Sequence, residues 1–206
     1  MENDVKEFLS ELLKQLKSID YIKPEDIPNI DLYMDQVTTF MDEQLAASKR
    51  YESDKILTKT MINNYAKNNL LPSPDKKKYS KEHVLTLLFI YYFNNILSIN
   101  DIRSILNPLT EKYFGNDDGF TMQDVYTEVF SLEAEESQKL LKDLGKKYKI
   151  AGETFEDFPD EDQKFLHTFS FICMLSFDVY IKKMLIERMI DDLNEEKEAS
   201  KKTGSN

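Results

Sequence analysis

A chain of 206 residues is long enough for one or two domains, and an apolar share of 41% supports a packed core rather than a disordered coil. Its 38 acidic and 27 basic residues give a formal net charge of −11, which as a total argues against a polyanionic partner. Five glycines, none before Gly115, leave no phosphate-cradling loop in the first half, and a single cysteine excludes a disulfide framework or a thiolate zinc site.

The opening MENDVKEFLS has no basic segment leading into an apolar one, so no secretory leader is expected. Asn3 can cap a first helix with Val5, Phe8, Leu9, Leu12, Leu13 and Leu16 on one face. Pro24 and Pro28 break the chain over residues 18–29. The spacing then predicts a helix over residues 31–47, with Leu32, Tyr33, Val37, Phe40, Met41 and Leu45 inward. A charged connection follows, and Thr58 reads as the N-cap of a short helix ending near Lys67, with Asn69 in the left-handed conformation beyond it. Pro72 and Pro74 exclude helix before the run Lys76, Lys77, Lys78. Ser80 caps a helix over residues 81–95 that is apolar around most of its circumference and is expected to be central. His83, in its first turn, is expected to serve in capping or to be exposed. Ser98 caps a helix expected to stop at Leu106, before Pro108.

Residues 107–120 mark a shift in composition and the expected boundary between domains. Thr121 caps a further helical stretch, expected to be interrupted by Gly145, Gly152 and an acidic loop. A long helix is predicted over residues 161–193, and the polar residues 194–206 read as a disordered tail. Its longest mostly apolar run, residues 169–181, is too short to span a bilayer. The wide stripe of Phe, Met and Tyr on this helix leaves three readings open: a domain core, a two-fold self-association seam, or a small-molecule pocket. His167 and Cys173 lie six apart on different faces, so Cys173 reads as a small core residue. No metal, no cofactor and no catalytic set is expected, and the chain does not read as an enzyme.

The informative stretch is residues 57–106, LTKTMINNYAKNNLLPSPDKKKYSKEHVLTLLFIYYFNNILSINDIRSIL. It runs as a short capped helix, a basic proline-bounded turn, a buried helix and a short capped helix. This order resembles the DNA-binding domain of the mercury-resistance-regulator (MerR) family. Thr58 takes that pattern's capping position and Ile62 its buried leucine, while Lys77 and Tyr79 match the arginine and tyrosine of its wing. Leu97, Ser98, Ile99, Ile102, Arg103 and Leu106 match its last helix. Asn63 stands where that family has an arginine, and Asn69 where it has a glycine. The whole chain, ILTKTMINNYAKNNLLP with KKKYS above all, also resembles a bacterial family of unknown function.

The MerR resemblance implies a mainly α protein: an N-terminal winged helix-turn-helix-like module with a small wing within residues 1–108, then a helical domain over 109–193 and the tail. It implies a transcriptional regulator that binds double-stranded DNA, with the C-terminal helices as a homodimer seam; the missing leader and the short apolar run lead to the expectation of a cytoplasmic protein with no membrane partner. Charge supports a basic face: residues 49–82 carry nine cations and four acids, a local +5 against −16 elsewhere. Lys59, Thr60, Asn63 and Lys67 share one helix face, and Asn63 and Asn64 suit adenine edges. Lys76, Lys77 and Lys78 suit flanking phosphates. The alternative is a protein–protein interaction or adaptor module of the same shape that does not bind DNA, favoured by the acidic remainder and by Asn63.

Overall fold

A computed structural model of the protein describes residues 22–116 and 119–203 together with Glu7, Ser10, Glu11 and Lys14, the side chains of 133–135, 138 and 201–203 excepted. The fold is mainly α, with two short strands among the described residues. The expected first-helix face from Val5 to Leu16 lies outside the described residues; Glu7, Ser10, Glu11 and Lys14 are helical and exposed. The chain forms two compact units, Tyr21–Phe130 with Ile186–Asn206, and Met1–Asp20 with Ser131–Leu185. This division falls at residues 130 and 185, where composition places it at 108.

In the larger unit, Pro24 starts a single 3₁₀ turn, Pro24–Asp26, that seats Ile22 and Ile27 in the core. Strand β1, Leu32–Tyr33, then leads into helix α1, Met34–Gln44. The helix expected over 31–47 is therefore shorter at both ends. Leu32 and Tyr33 pair antiparallel with Tyr79 and Lys78, and Tyr33 is extended where its N–H donates to Gln36 Oε1 at 2.8 Å. A two-residue strand lies below any periodicity signal. At the far end, Ala46–Ser48 tightens into a 3₁₀ turn.

Helix α2 is Lys59–Lys67, as its cap predicts: Thr58 Oγ1 accepts from the Met61 N–H at 3.2 Å. Asn69 is left-handed at φ 56°, and the N–H groups of Leu70 and Leu71 return to the Tyr65 carbonyl. Leu70 and Leu71 are thereby folded into the core.

A hairpin turn, Asp75 to Lys78, feeds strand β2, Lys78–Tyr79. Helix α3, Lys81–Asn94, is buried continuously from His83 to Ile90. It is the axis of the core, with Val37, Met41, Ile62, Ile102, Leu106, Met122 and Tyr126 among the side chains clustered with it. His83 serves its cap, as expected, but is 95% buried rather than exposed.

Helix α4 runs Ile99–Tyr113 and does not stop at Pro108. A proline inside a helix withholds the N–H owed to the carbonyl four residues back, here Ser104. That carbonyl accepts instead from Lys197 Nζ at 2.7 Å, and Thr110 Oγ1 donates to the Leu106 and Asn107 carbonyls at 3.2 and 3.1 Å. The lost bond is replaced by a side chain distant in sequence, so the helix continues.

Helix α5, Met122–Gly152, and helix α6, Asp160–Thr203, both pass from one unit into the other. Thr121 and Asp124 cap α5 reciprocally: Thr121 N donates to Asp124 Oδ2 at 2.8 Å, and Asp124 N to Thr121 Oγ1 at 3.3 Å. Gly145 does not interrupt α5. It is buried within it, and glycine costs a helix about 1 kcal/mol without breaking it. Residues 194–203 likewise continue α6, where the sequence reads as disordered.

In the smaller unit, Tyr148 on α5 meets Phe171 on α6 edge to face with ring centroids 5.4 Å apart. Lys147 on α5 pairs with both Asp143 and Asp178, and those carboxylates push its ammonium pKa up. His167 packs its ring nitrogen against the Thr154 carbonyl at 2.8 Å. Cys173 is exposed rather than a core residue, because this stretch of α6 has solvent on its side. No helix among the described residues is long and apolar enough to cross a membrane.

Candidate nucleic-acid interface

Helix α2 divides its residues cleanly. Ile62 and Tyr65 point inward at 0% and 4% exposure, while Lys59, Thr60, Asn63, Asn64 and Lys67 are all exposed. Nine helical residues rise about 12 Å, a length that enters a DNA major groove end-on or slantwise. The exposed face offers two ammonium groups, one hydroxyl and two carboxamides, with no acidic residue on the helix itself.

The hairpin supplies the second part. Lys78 N–H donates to the Asp75 carbonyl at 2.8 Å, leaving Lys76 and Lys77 as the two central residues. Both have positive φ, 48° and 66°. This is the primed two-residue turn that ordinarily recruits Asn-Gly, because a Cβ is disfavoured in the left-handed region. Two lysines there hold the backbone in a costly conformation and project two exposed ammonium groups at the tip. Lys78 differs: it is half-buried, and its ammonium lies 5.5 Å from the centre of the Tyr33 ring.

Tyr33 joins the two parts. It precedes α1, so the ring beneath Lys78 stands two residues from Asp35, and the Asp35 carboxylate pairs with Lys59 at the start of α2. Lys78, Tyr33, Asp35 and Lys59 form one continuous strip of surface from the wing to the helix. The basic cluster is also trimmed. Lys59 is matched by Asp35 and Lys49 by Asp42, whose carboxyl the Lys49 ammonium holds below its ordinary pKa. Lys67, Lys76 and Lys77 are exposed and have no such carboxylate partner among the described residues.

Three contributors were not legible in the sequence. Tyr33 was expected inward on a helix and is 54% exposed beside the wing. Asp35 carries no motif. Arg103, matched above only as part of the last helix, donates from Nε to the Asn68 carbonyl at 2.9 Å and from Nη1 to Asn100 Oδ1 at 3.4 Å. It braces the C-terminal end of α2 from α4 and sets a cation against the negative end of the helix dipole. A basic residue in a capped helix is the only signal of it, and that signal is common.

His83 holds the wing to the core. Its Nδ1 lies 3.0 Å from Ser80 N and 2.8 Å from Ser80 Oγ, directly after β2. Tyr79 and Phe114 meet its ring edge to face at 5.4 and 4.7 Å, and its Nε2 is buried without a hydrogen bond. Burial lowers its pKa, opposed by the Ser73 and Pro72 carbonyls and the Asp31 carboxylate.

Among the described residues no group of three or more His, Cys, Asp or Glu side chains is placed to hold a metal ion. Neither a curated protein nor a solved structure matches the chain. Residues 22–129, which carry β1 through the start of α5, match the family described as Domain of unknown function (DUF1836), and the chain belongs to that family.

Proposed function

We propose that the protein is a cytoplasmic, sequence-specific regulator of transcription that binds duplex DNA through α2 and the Asp75–Lys78 hairpin. The observation that carries this reading is the pairing of a polar, acid-free helix face with a hairpin tip whose two lysines occupy strained backbone. Nothing in the packing of the core calls for lysine at either position, since both side chains are exposed. In this reading Lys76, Lys77 and, in part, Lys78 hold phosphates on one side of the groove while Lys59, Thr60, Asn63, Asn64 and Lys67 face it. Asn63 and Asn64 discriminate among base edges, each bidentate pair contributing roughly 1–3 kcal/mol. The MerR resemblance of residues 57–106 supports the same assignment. The protein acts as a homodimer, since operator-binding modules of this kind pair two-fold. The exposed Phe165, Phe169, Ile172, Phe177 and Tyr180 of α6 supply apolar side chains for its seam.

A second reading is favoured by the two ion pairs that trim the basic face: an adaptor that uses the same surface for a protein partner. Binding to random-sequence duplex at 50 and 200 mM salt separates the two. A DNA-binding protein with several phosphate contacts loses affinity steeply between them, on the order of tenfold or more. Absence of binding at about 50 mM salt refutes the regulator and leaves the adaptor. Selection from a random duplex pool then tests base reading. Asn63→Ala is expected to change the selected sequences, and a uniform loss across all sequences removes Asn63 from that role.

A further inference from the structure

Behind α2, on the side away from its polar face, lies a cavity of about 370 Å³. Residues 48–50 and 54–57, the inner face of α2 and the end of α3 line it, and it opens to solvent on one side. Its floor is apolar: Ile56 and Leu57 are buried, and Met61 lies half-buried beside them. Its rim is basic. Lys49, Arg50 and Lys55 line it against a single acid, Asp54, whose carboxylate is already engaged by the Tyr51 N–H at 3.0 Å. Lys49 is likewise taken by Asp42 at 2.7 Å, which leaves Arg50 and Lys55 as the cations of the mouth, both exposed.

A second observation points to an occupant. Tyr65 lines the cavity with most of its side chain buried, while its hydroxyl makes no hydrogen bond to the described residues and stays accessible to solvent. A hydroxyl open to the cavity is free to donate to or accept from an occupant. The neighbouring phenol of Tyr91 is already paired, with Ser48 Oγ at 2.6 Å. An apolar floor, one accessible hydroxyl and two cations at the mouth form the pattern of a small-molecule pocket.

We infer that this cavity binds a small organic carboxylate, with its apolar body against Ile56, Met61 and Tyr65 and its carboxylate between Arg50 and Lys55. A bare inorganic anion leaves the floor empty, and a neutral hydrocarbon leaves the rim unanswered. Met61 and Tyr65 sit on the helix that also carries Asn63 and Lys67, so an occupant sets the pose of the outward face. That consequence rests on the DNA-binding reading; the binding site itself does not.

The test uses the full chain without DNA, labelled at the methionine methyls, with 2-naphthoate as probe and 2-naphthamide as its neutral counterpart. Met61→Leu assigns the Met61 signal. Naphthoate is expected to shift that signal saturably and to bind at least about tenfold tighter than the amide, as a charge-assisted contact requires. The Arg50→Ala/Lys55→Ala double variant, altered only at exposed positions, is expected to erase the difference. Equal affinity for the two probes, or shifts confined to Met174, Met184 and Met189 on α6, overturns the inference. Binding at Met61 in a protein that ignores DNA refutes the regulator and leaves the pocket standing. DNA binding that naphthoate does not alter, with Met61 unshifted, does the reverse.

Discussion

Replacing Lys76 by Asn and Lys77 by Gly in one chain is expected to move stability and DNA affinity in opposite directions. Both positions have positive φ in a two-residue turn closed by the Lys78 N–H to the Asp75 carbonyl. Asn-Gly suits that turn, and relief of the left-handed lysines is worth about 1–2 kcal/mol for the pair. For a chain of this size that raises Tm by roughly 2–8 °C. Neither side chain is packed, so no contact is lost in exchange. If each lysine neutralises one phosphate, the slope of log K against log salt falls by about 1.8. Between 50 and 200 mM the variant then loses about twelvefold less affinity than the parent, while binding more weakly throughout. Thermal melts and a salt series of anisotropy titrations read the two effects separately. A variant with higher Tm and an unchanged salt slope refutes the assignment of the wing to phosphate binding. A lower Tm refutes the strain.

Two further substitutions probe the supports of this surface. Pro108→Ala restores the N–H that Ser104 lacks and is expected to stabilise the chain by up to about 3 kcal/mol. Lys197→Ala is expected to cost about 1 kcal/mol in the parent and close to nothing in the Pro108→Ala background, a coupling that a double-mutant cycle by denaturant unfolding measures; equal costs in both backgrounds refute the substitution of one bond by the other. For His83, burial lowers the folded pKa below the unfolded value of 6.5, so the unfolded chain binds the extra proton first. Its contribution is complete above pH 6.5 and is lost as pH falls below it, when protonation also removes the Nδ1 acceptor for Ser80 N–H. Tm is expected to drop between pH 7.5 and 5.5 in the parent and to drop less in His83→Asn, which keeps an acceptor but does not titrate; parallel pH profiles refute the assignment.

Where a structural feature depends on neighbours within one helical turn, the sequence already determines it. Thr58 caps α2 through its own third residue, Asn69 turns the chain left-handed, and the apolar surface of residues 84–90, interrupted only by Thr86, places α3 at the centre. The same local logic divides α2 into an inner face, Ile62 and Tyr65, and an outer one carrying Asn63 and Lys67. What local logic lacks is any partner distant in sequence. Tyr33 leaves its expected helix because β2, more than forty residues on, offers its backbone a ladder and Lys78 offers its ring a cation. Lys59 belongs to the basic face by its spacing and is half-cancelled by Asp35 from another helix. Pro108 ends a helix by every local rule and fails to end this one, because Lys197 arrives at the orphaned carbonyl. Sequence alone settled which side chains α2 turns outward; tertiary structure decided which of those charges stay unmatched, because a hydrogen bond or ion pair between distant residues is set by packing and leaves no periodic trace along the chain.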